Sequence, residues 1–512
     1  MKILLAYISG APNRDDSFIS LLPCGLCYLH SVLKSAGFDS LLANFSGWSD
    51  STVVGQIKQL QPDVLAISQW THNRHASLEL ARTARRLNPK CTIIVGGGHA
   101  SFQYGEILYP ESPVDLVLIG EGEETLLELV THLEAGTVWN RVRGIAFRHN
   151  DLIVKTSPRE LIGDLDALPF ASLYLDHSIG VERALQAEFI ITARGCPSSC
   201  NFCSSPGFWN RRVRFRSPEN IVNEIMFVRD TYGLIYFSLR DDTFSADRTR
   251  AISFCHLLIE RRAHIMWNCQ SRVNTLDEEL LVWMKRAGCE CVQLGVESGA
   301  PRILDLLGKT ITPFQVESAA VAIRNVGIHL SVYLISDIPG ETDADRAASI
   351  NLMDRIRPDD GYVSPLAYYP GTRLFYDAVA DGRIDENVFQ RTHTPAVYAV
   401  DKPGRSSKKL LRSLDARRTI DSRVFKQQKR VLGYCYATNV VAGEYFSRNG
   451  NFGAAEKEFR EIVEREPDNP WGWFLLGELL FEQGNRDRAA ECYRRVLGRI
   501  PCHAPSLMAL AQ

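Results

Sequence analysis

Apolar, β-branched runs recur along the first third of the chain: "KILLAYIS" (2–9), "DSLLANFS" (39–46), "DVLAISQW" (63–70), "CTIIVGGGH" (91–99) and "VDLVLIGEGE" (114–123). Between them, "LCYLHSVLKSAG" (26–37) and "ASLELARTARRLN" (76–88) return apolar residues at the spacing of a helix with one buried face. Short buried strands alternating with such helices predict a parallel sheet covered on both sides, with ligands at the carboxyl ends of its strands. Glycines collect at those ends, in Gly96-Gly97-Gly98-His99 and Gly120-Glu121-Gly122-Glu123. A strand-end glycine either lets the backbone approach a ligand or simply makes a tight turn.

The pattern then changes. Residues 142–160 alternate about a turn at His149-Asn150-Asp151, which predicts a β-hairpin, and "LIGDLDALPFASLYLD" (161–176) reads as a linker strapped to the surface. A second strand–helix series follows in "LIYFSLRDDTFSAD" (234–247), "IMWNCQSRVNTLDEELLVWMKRAGCECVQLGVESG" (265–299), "IHLSVYLISDIPGET" (328–342) and "LAYYPGT" (366–372), the pattern of a parallel barrel. Cys289 and Cys291 lie on one of its strands and read as core thiols. Residues 380–435 are basic and polar, which predicts a solvated helix or linker. Beyond them Gly443, Phe446, Gly450, Ala455, Phe459 and Pro467 are matched 34 residues later by Gly477, Leu480, Gly484, Ala489, Tyr493 and Pro501. This is the tetratricopeptide pattern of crossing helix pairs; two repeats are fewer than stand alone, so the tail must pack on the barrel, meet another chain, or both.

The 512 residues predict two to four domains, and 45% apolar with 23% charged content is that of a globular protein. A net charge of −2 supplies no general pull toward nucleic acid or anionic membrane. The opening "MKILLAYISGAPNRDD" is too short for a signal-peptide core, and no run approaches 18 apolar residues. A cytoplasmic location is expected, so the 13 cysteines should be mostly reduced and a cluster of them points to metal.

That cluster is "TARGCPSSCNFCSSP" (192–206), with Cys196, Cys200 and Cys203 in eight positions. A structural zinc site asks for four ligands, and the other candidates, His177, Cys255 and Cys269, are distant in sequence. An iron–sulfur cubane held by three thiolates keeps one iron open as a reaction site. The spacing Cys-x3-Cys-x2-Cys, with "ARGCP" before it and Phe202 inside its last interval, resembles radical S-adenosylmethionine (SAM) enzymes over residues 185–380. The resemblance implies a partial (β/α)6 barrel and a [4Fe–4S] cluster on Cys196, Cys200 and Cys203, whose fourth iron is chelated by the amino and carboxylate groups of SAM. It also implies that Phe202 lies against the adenine and that Glu297 contacts the methionine or ribose part of SAM, with Ser271 and Arg272 as further contacts. Asp241, with Asp242, ends the second strand as either a ligand or a helix N-cap for "SADRTRAISF". The chain departs from the family at Asp337-Ile338, where glycine usually precedes the Pro339-Gly340-Glu341-Thr342 turn.

"LLPCGLCYLHSVLKSAGF", "IVGGGHASF" and "DLVLIGEGEETLLELV", in that order, resemble the cobalamin-binding domain that precedes the barrel in many of these enzymes, over residues 1–135. The resemblance implies a corrinoid held by Trp70, Thr71, Gly97, Gly98, His99, Glu121 and Gly122. No Asp-x-His-x-x-Gly occurs in this domain, so no histidine of that motif ligates the cobalt. The loop Gln69-Trp70-Thr71-His72 is expected at the lower face; His72 and His75 read as ligands or as solvated loop histidines.

The predicted class is α/β: a Rossmann-like cobalamin-binding domain (1–140), a hairpin and linker (141–184), a radical SAM barrel (185–380), a basic helical linker (381–434) and an α-helical tetratricopeptide tail (435–512). The chemistry implied is reductive cleavage of SAM to a radical that removes hydrogen from carbon, with a corrinoid to deliver a methyl group and a second SAM to recharge cobalt. That points to methylation of an unactivated carbon in a small molecule or lipid. Cyclisation or rearrangement with the same cofactors is the alternative, and a scaffold with a retired active site a third. A methylthiotransferase is disfavoured, because Cys24, Cys27 and Cys91 lack the spacing of a second cluster. The expected partners are a small-molecule substrate, a flavodoxin- or ferredoxin-type electron donor and a protein on the tail, with no nucleic acid and no membrane span.

Overall fold

The structure, a computed structural model, describes residues 1–10, 19–392, 394–415 and 422–511. Part of the opening stretch "MKILLAYISGAPNRDD" and part of the basic linker lie outside them. The chain divides into two compact units: Met1–Ala187 with Gly195–Arg214 and Ala367–Ala399, and Glu188–Arg194 with Phe215–Leu366 and Val400–Gln512. The loop that carries Cys196, Cys200 and Cys203 thus belongs to the first unit, and the division follows a different line from the sequence boundaries at 140, 184 and 380.

The first unit is built on β1 (Lys2–Tyr7), β2 (Asp39–Asn44), β3 (Val64–Ser68), β4 (Thr92–Gly96) and β5 (Leu116–Leu118), interleaved with α1 (Cys24–Ser35), α2 (Asp50–Leu60), α3 (Arg74–Leu87), α4 (Gly98–Ile107) and α5 (Glu123–Ala135). The five strands pair in parallel in the order 5-4-3-1-2, so chain order reverses between β1 and β3 and opens a crevice at their carboxyl ends. β3 is buried at every position, as a strand covered on both faces must be.

The hairpin forms as β6 (Ile145–His149) and β7 (Leu152–Lys155), turning at Asn150 with φ 53°, and extends the sheet antiparallel beyond β5. The segment expected as a surface strap differs from that reading. It buries Leu165 and Leu175, then supplies β8 (Ser178–Ile179), parallel to β2 at the opposite edge. A two-residue strand carries no periodicity, so the sequence gives no sign of it.

In the second unit six parallel strands, Phe189–Ile190, Tyr236–Leu239, Met266–Ser271, Cys289–Glu297, His329–Ser336 and Asp360–Pro365, pair in sequential order. Their order is linear, so the barrel is partial. Its helices start on local signals: Thr312 with Gln315 and Thr342 with Asp345 form capping boxes. Part of the segment expected as a solvated linker is instead packed. Helix Arg405–Asp415 buries Leu410 and Leu414 along the last strand, and Gly404 N–H donates to Asp337 Oδ2 at 2.9 Å.

The tail forms helices Tyr436–Arg448, Phe452–Arg465, Pro470–Glu482, Arg486–Leu497 and Ala504–Leu510. A Cβ on Gly443 would lie 2.2 Å from the Phe459 ring and one on Gly477 would lie 2.8 Å from Tyr493, the close crossings read from the repeat. The tail packs on the amino ends of the barrel strands. Tyr436 donates its hydroxyl to the Ile265 carbonyl at 2.6 Å, and Gly233 lies under the Cys502 carbonyl, where a Cβ would come within 2.2 Å. Tyr236, Met266 and Val282 join the apolar core of the repeats. Two repeats are thereby stabilised without a third, and they occupy the end of the barrel opposite its candidate chemistry.

Candidate functional site

In the first unit the switch-point crevice is shaped by loops after β1, β3 and β4. Asn73 ties the first two together: its side chain donates to the carbonyls of Ile8 and Ser68, and its Oδ1 accepts the Trp70 N–H at 2.6 Å. Gly97 has φ 110°, and a Cβ there would lie 2.6 Å from the Gln69 carbonyl oxygen, so only glycine permits this turn. Gly98 lies under the Trp70 indole, which is 42% exposed. Thr71 and His99 share a hydrogen bond of 3.1 Å, and burial pushes the His99 pKa down to about 3, which keeps the ring neutral. Four of the seven expected corrinoid residues, Trp70, Thr71, Gly98 and His99, therefore meet in two contacts. His72 bonds to the Tyr7 hydroxyl at 2.9 Å and His75 to the Thr392 carbonyl at 2.7 Å, so each has a protein partner rather than a purely solvated ring.

Glu121 has protein partners of its own. Its Oε2 accepts Arg214 Nη1 at 2.7 Å and the Ile162 N–H at 2.8 Å, and the pair is 10% and 4% exposed. The carboxylate is thus engaged with the strand that returns from the cysteine loop. Gly122 precedes α5 and sits against Leu29.

The cysteine loop itself is held at several points in the same unit. The Leu374 N–H donates to the Asn201 carbonyl at 2.9 Å, between Cys200 and Cys203. Phe102, from α4, wedges against Gly371 and Phe208: a Cβ on Gly371 would lie 2.4 Å from its ring, and one on Gly207 would lie 2.9 Å from the Gly371 carbonyl. Gly195, with φ 99°, lies so near the Arg212 carbonyl that a Cβ would come within 2.0 Å, and this sets the chain entering Cys196. Phe202 is half-buried.

In the second unit Asp241 is fully buried and does not cap the following helix. Its oxygens accept the Thr192 N–H at 2.6 Å, the Ala193 N–H at 2.9 Å and the Thr192 hydroxyl, with Arg250 3.8 Å away. Burial raises its pKa, against the pull of Arg250. The helix it was expected to cap is capped by Asp247, which accepts the Arg250 N–H. Asp241 therefore anchors the backbone three residues ahead of Cys196. Ser271 accepts from Ser245 at 3.0 Å, and Arg272 is buried beside it in sequence. Glu297, at φ 64°, pairs with Lys309 Nζ at 2.7 Å; Gly295 leaves room for both, since a Cβ there would lie 2.5 Å from Glu297 and 2.8 Å from Lys309. Cys289 and Cys291 are buried core thiols, their pKa values raised by burial.

Asn73, Phe102, Arg214 and Lys309 were not distinguished in the sequence. A glycine-flanked Lys309 in "LGKT" was the one visible signal; the others depend on partners far along the chain.

Both cofactors fit the groups present. Cys196, Cys200 and Cys203 form no disulfide among the described residues and lie in one loop, the thiol set an iron–sulfur cluster takes. Among the described residues no three His, Cys, Asp or Glu side chains converge as ligands of a single ion; a cubane asks for one thiolate on each of three separate irons. At the crevice, the buried side-chain oxygens Ser9 Oγ, Ser46 Oγ and Gln69 Oε1, after β1, β2 and β3, have no protein partner among the described residues. The amide arms of a corrin carry donors for such oxygens. No helix among the described residues is long and apolar enough to cross a membrane.

Residues 190–353 match the Radical SAM superfamily, 20–130 the B12 binding domain and 440–502 the tetratricopeptide repeat. An uncharacterized methyltransferase of Pyrococcus horikoshii is 32% identical over 390 residues, 74% of this chain and 84% of the relative. The anaerobic magnesium-protoporphyrin IX monomethyl ester cyclase of Cereibacter sphaeroides is 29% identical over 393 residues, 74% of this chain and 63% of the relative. Among solved structures, the radical SAM methyltransferase TsrM of Kitasatospora setae, with cobalamin and a [4Fe–4S] cluster bound, is similar in fold with a TM-score of 0.62 at 19% identity, covering 74% of this chain and 78% of that one. The chain belongs to the radical SAM superfamily, in its B12-binding branch, and is an enzyme whose cofactors are a [4Fe–4S] cluster, S-adenosylmethionine and cobalamin.

Proposed function

We propose that the enzyme methylates an unactivated carbon of a small-molecule or lipid substrate. The observation that carries this reading is the docking of the cysteine loop onto the cobalamin-binding fold within one compact unit, through Phe102 against Gly371 and Phe208 and through Arg214 on Glu121. When bound, the cluster supplies the electron that cleaves SAM, and the corrinoid supplies a transferable methyl group. Cys196, Cys200 and Cys203 hold the cluster, with Phe202 beside them as a SAM contact, and Trp70, Thr71, Gly97, Gly98, His99 and Gly122 line the corrinoid crevice. Asp241 and Glu121 act one step back, by fixing the two ends of the cysteine loop. A flavodoxin- or ferredoxin-type donor feeds the cluster in the cytoplasm, and the outer face of the tail is left for a protein partner.

The experiment is a product count. Reduced, reconstituted enzyme supplied with SAM is expected to release S-adenosylhomocysteine, the mark of methyl transfer, as well as 5′-deoxyadenosine. The similarity to the magnesium-protoporphyrin cyclase favours a second reading, ring formation, which gives 5′-deoxyadenosine without S-adenosylhomocysteine.

A further inference from the structure

Arg214 is nine-tenths buried, and among the described residues only one of its nitrogens has an acceptor. Nη1 donates to both Glu121 Oε2 and the Ile162 carbonyl, at 2.7 and 2.6 Å. The guanidinium lies over the Trp209 ring, 5.3 Å from its centroid. Nε and Nη2 are buried and have no acceptor among the described residues. These two nitrogens share the side-on edge of the guanidinium, the edge that presents two parallel N–H groups to one carboxylate or carbonyl. A buried, charged donor edge left unfilled is costly, whereas one filled by a ligand oxygen is among the stronger polar contacts a protein makes. The surroundings hold the edge still: Glu121 fixes one end of the group and Trp209 its face.

We propose that Arg214 is a cofactor-binding residue, whose Nε/Nη2 edge donates to an oxygen acceptor of a bound cofactor. The acceptor is a carboxylate, as SAM carries, or a carboxamide, as the corrin arms carry. Arg214 stands between the Gly120–Gly122 loop and the return from the cysteine loop, within the first unit. The inference rests on the assignment of both cofactors to this chain. It gives Glu121 the part of a positioning residue, acting through Arg214 and not by touching the corrin.

The test uses the full chain, reconstituted anaerobically, with hydroxocobalamin and SAM as separate probes. Arg214→Lys keeps a cation for Glu121 and removes the side-on edge. It is expected to weaken one of the two affinities by about ten- to a hundred-fold, the range of one or two charge-assisted hydrogen bonds, and to leave the other within about two-fold. Loss for hydroxocobalamin identifies a corrin amide; loss for SAM identifies its carboxylate. Glu121→Gln is expected to give a smaller loss for the same cofactor. Unchanged affinity for both probes, as when the edge holds only water, overturns the proposal, and so does an equal loss for both that follows a fall in thermal midpoint. If Arg214→Lys does not fold, the Nε–H resonance of Arg214 in the wild-type protein decides: it should shift and resist exchange with one cofactor, and no shift with either overturns the proposal. Wild-type protein that binds neither probe removes the cofactor assignment itself, a result distinct from an unaffected variant.

Discussion

Lys309 and Glu297 form an ion pair of 2.7 Å at the carboxyl end of the fourth barrel strand, 6% and 9% exposed. Neither charge is tolerable there alone. Lys309→Met should therefore destabilise the barrel by about 3–5 kcal/mol, the cost of an uncompensated buried charge. The double variant Glu297→Gln, Lys309→Met should recover part of that loss in chemical denaturation, because it removes both charges.

Asp241 receives three donors from Thr192 and Ala193. Asp241→Ala leaves those buried donors unpaired and frees the chain that leads into Cys196. Iron bound per chain after reconstitution should fall well below the wild-type level while the corrinoid affinity stays the same. Asp241→Asn, which keeps two acceptor directions, should be intermediate.

Gly443 faces Phe459 with no room for a methyl group. Gly443→Val should separate the first helix pair of the tail and cost about 1–3 kcal/mol or more, the range for overpacking. The same change at the solvent-side Gly453, where nothing lies within reach of a Cβ, should cost nothing in packing and gain slightly in helix propensity, since valine is a better helix former than glycine. Limited proteolysis after residue 433 measures the difference.

His99 sets a pH dependence. Its pKa is about 3 folded, lowered by burial and then by Arg74 and His75, against 6.5 in the unfolded chain. Below pH 6.5 the unfolded chain takes up a proton that the folded one refuses, so stability falls as pH drops. From pH 6.5 to 5 this single site removes about 2 kcal/mol. His30, lowered to about 4 in the same unit, adds to the trend. The difference between wild type and His99→Gln in the thermal midpoint, at pH 7.5 and pH 5, isolates the His99 share: the variant should lose less on acidification.

The strands, the crossing glycines of the tail and the three-cysteine loop were legible because each is a local pattern: a short apolar, β-branched run, a period of 34, or a spacing within eight residues. The partners of Glu121 and Asp241 were hidden for the converse reason. Both are strand-end carboxylates, and such residues read as ligands, yet their partners Arg214 and Thr192 are 93 and 49 residues away. Local sequence cannot say which distant cation or amide will consume a carboxylate. The packing of helix Arg405–Asp415 was hidden likewise, since two buried leucines in a basic segment do not outweigh its charge.

The most direct measurement is electron paramagnetic resonance of the dithionite-reduced, anaerobically reconstituted protein before and after SAM is added. The expected result is a [4Fe–4S] signal that depends on all three of Cys196, Cys200 and Cys203 and that changes when SAM reaches the open iron, with 5′-deoxyadenosine formed on turnover. Zinc in place of iron, or a cluster signal indifferent to SAM, contradicts it.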